Sequence, residues 1–167
     1  ELYRFRDGQM AREPEAQLSP GVQSVKRIVT GNLTRNVPAV FVAGIYQGDS
    51  VLTDVFAFRG RSFCNVTQAD GELSVQTVRN YFVYATDIDS DGLIELPELE
   101  ALPRTDEAEE GYSLIRWYNL DLNGNESIKQ ITYHNFSAGW YVRIPEEWAG
   151  HLAITRGEEV SGVRGLQ

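Results

Sequence analysis

Strand-forming residues in this chain come in short runs, cut by turn residues at intervals of roughly 8–12 residues. That spacing leaves room for strands and hairpins and little for helices. Residues 39–46 read Ala-Val-Phe-Val-Ala-Gly-Ile-Tyr, a nearly continuous apolar run too short for a helix and rich in strand formers, so a buried strand is expected there. Strands are also expected over residues 2–6, 22–30, 51–59, 62–67, 113–122, 127–136, 139–144 and 151–156, while residues 73–86 read either as a helix in their first half or, on Tyr81 to Tyr84, as a strand running into the acidic loop. Turns are expected at Asp7-Gly8, across residues 31–38, at Gln47-Gly48, Gly60-Arg61 and Asp70-Gly71, and at the hairpin signal Asn123-Gly124-Asn125. Residues 10–20, with Pro14 and Pro20, read as a loop or a ragged edge strand, residues 105–111 as an acidic loop, and residues 157–167 as a polar tail. The expected fold is all-β and antiparallel, with Val40, Val42, Phe82, Val83 and Ile115 largely buried.

Charge narrows the partners. The 167 residues carry a net charge of −9, from 24 acidic and 15 basic side chains. Between Asp87 and Glu110 there are ten acidic residues and one basic residue, Arg104, so the remainder holds 14 of each sign and the excess lies in one window. Such a patch repels the phosphates of nucleic acid and favours a cation. Cys64 is the one cysteine, which excludes an intrachain disulfide and reads as a small apolar side chain. No apolar run reaches the roughly 18 residues of a membrane span.

Within that window lies Asp87-Ile-Asp-Ser-Asp-Gly-Leu-Ile-Glu-Leu-Pro-Glu98. Asp87, Asp89 and Asp91 alternate with non-acidic residues, and Gly92 allows a sharp turn. Calcium takes six to eight oxygen ligands, and alternating carboxylates on a tight loop converge on one point. Leu93 offers its backbone carbonyl, Glu95 a side chain or a bridging water, and Glu98 a late carboxylate, while Ile94 points away to anchor the loop. The competing reading is a polar Asp-Gly turn between strands.

An internal overlay places Ile28 to Phe41 over Tyr84 to Leu96, with Thr30 on Thr86, and each copy is followed by a pair of strands. Gly31, Leu33 and Arg35 then stand at the ligand positions of the first copy, so only the second holds a metal. Thr86 to Glu95 resembles the FG-GAP or VCBS-type repeats of β-propeller proteins. The resemblance covers about ten residues closely and implies calcium ligation by Asp87, Asp89, Asp91, Glu95 and the carbonyl of Leu93. It also implies blade-like repeats, expected over residues 22–75 and 76–156 of a single domain, with residues 1–20 part of a preceding unit. A closed propeller needs about four blades or more, so the array is incomplete, and a compact β-sandwich is the alternative. The segment Gly139 to Trp148 with Ile154 is similar to extracellular or lipoprotein-anchored bacterial proteins that carry such repeats. The loop also resembles an EF-hand, with Glu98 at its twelfth position. Asp121, Asn123 and Asn125 repeat part of that spacing, but Pro97 and Pro103 crowd the helix an EF-hand needs.

Catalytic signals are sparse. His134 and His151 are the only histidines, no Gly-x-Ser-x-Gly elbow occurs near Ser137, and Glu146 and Glu147 face opposite ways on a strand. Trp117, Trp140 and Trp148, with Tyr112, Tyr118, Tyr133 and Tyr141, either fill the core or stack on sugar rings. Asn32, Asn65, Asn125 and Asn135 open Asn-x-Ser/Thr triplets, glycan acceptors in a eukaryotic secreted protein. The expectation is a calcium-stabilised extracellular or cell-surface binding or scaffold domain without catalysis. Its partner is a protein or a carbohydrate, and its open ends pair with another copy or with the remainder of a longer parent chain. The alternatives are a calcium-dependent carbohydrate-binding module, the non-catalytic part of a larger hydrolase, and an EF-hand protein.

Overall fold

A computed structural model describes residues 3–12, 15–68, 77–103, 111–148 and 150–154. The chain is all-β and antiparallel, and no α-helix occurs among the described residues. A two-stranded hairpin comes first: β1 (Tyr3–Arg6) and β2 (Gln9–Arg12). Asp7 and Gly8 both have positive φ, 48° and 79°, the conformation of a two-residue hairpin turn whose twist matches the flanking strands. Residues 10–12, which the sequence left between loop and edge strand, are strand.

The first four-stranded sheet runs in chain order: β3 (Val22–Thr34), β4 (Val37–Tyr46), β5 (Ser50–Arg59) and β6 (Ser62–Asn65). The turn expected over residues 31–38 shrinks to Arg35-Asn36, because pairing continues from Thr30 opposite Val40 to Thr34 opposite Val37. Alternation along β4 and β5 sends Phe41, Val55 and Ala57 inward, all at most 1% exposed.

The second sheet is also a meander: β7 (Leu96–Ala101), β8 (Ser113–Leu120), β9 (Glu126–Asn135) and β10 (Trp140–Ile144). β7 was not expected. Pro97 has no N–H to give a ladder, but β7 is an edge strand and Pro97 sits opposite Trp117 without interrupting the pairing. Residues 151–154, expected to open a last strand, are not strand; they follow a single 3-10 turn, Glu146–Trp148, and the rest of that expected strand lies outside the described residues.

One core joins the sheets. Leu33, Phe41 and Val55 of the first pack with Leu96, Tyr118 and Leu120 of the second, together with Ala85 and Ile94 from the connection between them. A smaller cluster of Leu102, Leu114, Ile131 and Ile144 gathers Leu152 and Ile154 against the second sheet.

The connection corrects another expectation. Residues 81–84 are not a strand. The backbone of Arg79 pairs with Val51 through two hydrogen bonds of 2.7 and 2.9 Å. Its guanidinium, 6% exposed, then donates to the carbonyls of Val83 (2.7 Å) and Thr77 (2.9 Å) and to the Thr53 hydroxyl (3.0 Å). The chain curls around this side chain instead of extending, and Phe82 emerges 57% exposed rather than buried. Val40 and Val83 are half-buried, while Val42 and Ile115 are buried as expected.

Candidate metal centre

The acidic loop is clamped at its neck and along one side. Thr86 and Glu95 exchange backbone hydrogen bonds of 3.1 and 2.9 Å across the neck. On the side, the N–H of Ile94 donates to the Asn32 carbonyl (2.9 Å) and the Asn32 side-chain amide donates to the Gly92 carbonyl (3.2 Å). Ile94 is buried over Gly31, where a Cβ would stand 2.4 Å from Ile94 Cγ1. The close approach therefore requires glycine on β3. Thr30 lies mid-strand and Thr86 at the loop neck, so the two overlaid threonines occupy different local structures.

Within the loop, carboxylates hold the backbone. Asp87 accepts the N–H groups of Asp91 (3.1 Å) and Gly92 (2.9 Å), Asp89 accepts Asp91 N–H (3.3 Å), and Asp91 accepts Leu93 N–H (2.9 Å). Ser90 and Gly92 turn through positive φ, 63° and 85°. Oxygens of Asp87, Asp89 and Glu95 converge within 4.8 Å of one another. Glu95 is fully buried; Ile88 N–H donates to one of its oxygens (3.1 Å) and the Asn119 amide to the other (2.7 Å). Burial pushes its carboxyl above the usual range, and Asp89 and Asp91 push it the same way.

Asp91 and Glu98 stand apart from that cluster. The Lys129 ammonium donates to Asp91 Oδ2 at 2.5 Å and lies 4.0 Å from Asp89 Oδ2. This bond, above all, holds the Asp91 carboxyl below its ordinary value. Lys129 is delivered by a bulge: Trp117 pairs with Gln130 and Tyr118 with Ile128, leaving Lys129 as the extra residue of β9. Glu98 is carried away by β7, opposite Arg116, with 3.9 Å between their charged groups. Leu93 stays in the loop beside Asn32. Asn32, Asn119 and Lys129 were missed by sequence reading, because only tertiary structure brings them to the loop.

The loop has no flanking helices. Residues 78–85 are irregular and β7 begins at Leu96, so an EF-hand does not form. The second Asp/Asn stretch is a closed turn: Asp121 accepts the N–H groups of Asn123 (2.7 Å) and Asn125 (2.9 Å) and the Asn125 side-chain amide (2.7 Å).

Elsewhere, the aromatic set divides. Trp117 and Tyr118 are core, whereas Trp140, Tyr141 and Trp148 are about half exposed. His134 is sandwiched between Phe136 and Tyr141, at centroid distances of 5.3 and 5.0 Å. Cys64 is half-buried against the core. The side-chain amides of Asn32, Asn65 and Asn125 donate to Gly92, Asp54 and Asp121 in turn, so these asparagines tie the fold locally.

The donors at the cluster are carboxylates, hard oxygens suited to calcium or magnesium and not to thiolate-seeking metals. Comparison of the chain with protein families, curated proteins and solved structures returned no match.

Proposed function

We propose that the chain is a calcium-stabilised binding or scaffold domain, extracellular or at the cell surface, with no catalytic role. The observation that carries this reading is the convergence of Asp87, Asp89 and Glu95 within 4.8 Å, one of them fully buried. Three carboxylates so placed repel one another, and a divalent cation turns that cost into attraction. Asp91 lies outside that cluster with its carboxylate bonded to Lys129, and the resemblance of residues 86–95 to calcium-binding repeats implies Asp91 and the Leu93 carbonyl as further ligands. The loop bridges the first sheet through Asn32 and the second through Asn119, so an ion there ties both sheets together.

For the architecture, the shared core of the two meanders supports a compact two-sheet sandwich over an open propeller. Each meander alone has the connectivity of a blade.

Half-exposed Trp140, Tyr141 and Trp148 favour a second reading, a calcium-dependent carbohydrate module. Thermal unfolding with calcium and with chelator tests the first reading. Saccharide-array binding, lost on Trp140→Ala, tests the second. In the first reading calcium raises the melting temperature and no saccharide is retained.

A further inference from the structure

The four outer strands of the two large sheets are β3, β6, β7 and β10, and three of them are guarded against pairing with another chain. β3 carries Lys26 and Arg27 and has three register irregularities along its length. β6 is four residues long. β7 contains Pro97, and Glu98 and Glu100 follow. These are the usual devices that blunt a sheet edge. β10 has no proline and no register irregularity in its pairing with β9, and its first three residues are exposed apolar side chains. Trp140 (49%) and Val142 (47%) stand exposed on one face and Tyr141 (51%) on the other.

We infer that β10 pairs antiparallel with β10 of a second copy, joining the two second sheets into one eight-stranded sheet across a twofold axis. The sequence of β10 fixes the register. Pairing about a twofold keeps residues of one face together, so the sum of paired residue numbers is even. Centring on Arg143 sets the two guanidinium groups opposite each other, and centring on Tyr141 pairs only three of the five residues. Centring on Val142 pairs all five. Trp140 then lies opposite the second copy's Ile144, and Tyr141 opposite its Arg143.

The pair of Tyr141 with Arg143 sets a guanidinium against a tyrosine ring, while Trp140 meets only the margin of Ile144, which is 8% exposed and packed in its own sheet's cluster. Tyr141 is already stacked on His134 of β9, with an interplanar angle of 15°, so its other face turns toward the edge that no other described strand pairs with, where Arg143 of the second copy arrives. Five paired residues with their flanking aromatics make a small interface, so the dimer belongs to the weak, concentration-dependent class.

Sedimentation equilibrium tests this, with chelator present so that no metal bridges two acidic loops. Between about 1 μM and 1 mM, the span of weak complexes, the mass is expected to rise from the 18.8 kDa chain toward twice that value. Val142→Lys and Val142→Glu each set like charges face to face and are expected to stay monomeric. Mixing the two variants is expected to restore the dimer, which unfolded variants would not do. In a Cys64→Ser background, Val142→Cys is expected to form an intermolecular disulfide on oxidation, and Phe136→Cys is not. A wild-type monomer throughout the range, or a Val142→Lys protein that dimerises like wild type, overturns the proposal.

Discussion

The ammonium of Lys129 sits 2.5 Å from the Asp91 carboxylate, 38 residues away in sequence, because a bulge in β9 aims it at the acidic loop. Without a metal, this is the one cation among the described residues within 4.0 Å of the loop's carboxylates. It neutralises the position that the spacing Asp87, Asp89, Asp91 assigns to a ligand. Lys129 and a metal ion therefore compete for Asp91, and replacing the lysine has two opposite consequences.

Lys129→Met removes the competitor and a nearby positive charge. Calcium affinity is expected to rise by a few-fold to about tenfold, the scale of one unit charge at this distance in a well-solvated site. In chelator the same variant is expected to melt below wild type, because the carboxylates lose their counter-charge. Titration calorimetry and thermal melts read the two effects separately.

Asp89→Asn keeps the shape of the loop and removes one charge from the converging set. Its calcium affinity is expected to fall by about tenfold or more. Its melting temperature in chelator is expected to match or exceed wild type, since one member of a repelling trio is gone. A variant that loses stability equally with and without calcium would show Asp89 to be structural only.

Gly31→Ala probes the seat of the loop. Ile94 Cγ1 stands 2.4 Å from the position of the new methyl group, so the Ile94 side chain must shift inside the core. A loss of about 1–3 kcal/mol is expected, the usual cost of overpacking. Calcium affinity should fall with it, because Ile94 and Glu95 move together. Chemical denaturation at fixed calcium measures the first effect and titration the second.

His134 gives a pH dependence. Burial lowers its folded pKa below the ordinary 6.5, so on acidification the unfolded chain takes up the proton first. The stability from this group is complete above pH 6.5 and is lost as pH falls through the lowered folded value. His134→Phe keeps a ring between Phe136 and Tyr141 and removes the titration. The stability difference between wild type and His134→Phe is expected to shift against wild type between about pH 8 and about pH 5. A constant difference would show that His134 does not titrate in that window.

What the sequence showed was local. The hairpin at Asp7-Gly8, the run from Ala39 to Tyr46 and the turn at Asn123-Gly124-Asn125 are written in neighbouring residues, and the structure follows them. Asp87, Asp89 and Glu95 were legible for the same reason, since one tight turn brings them together. The misses are tertiary. Tyr81 to Tyr84 has strand-forming residues, but Arg79 spends its hydrogen bonds on Val83, Thr77 and Thr53 and bends the segment. Pro97 hid β7 because its place on an edge cannot be read from residue type. Glu98 has the right spacing for a ligand, yet pairing of β7 with β8 carries it to Arg116. Nothing near Lys129 in sequence signals that a bulge will send it to Asp91.

Calcium binding by the loop from Asp87 to Glu95 is read by titration calorimetry of chelator-stripped protein with calcium chloride. One binding event per chain is expected, weakened in Asp89→Asn and accompanied by a rise in melting temperature that follows ligand concentration by mass action. An absence of binding heat together with identical melting temperatures in calcium and in chelator would contradict it.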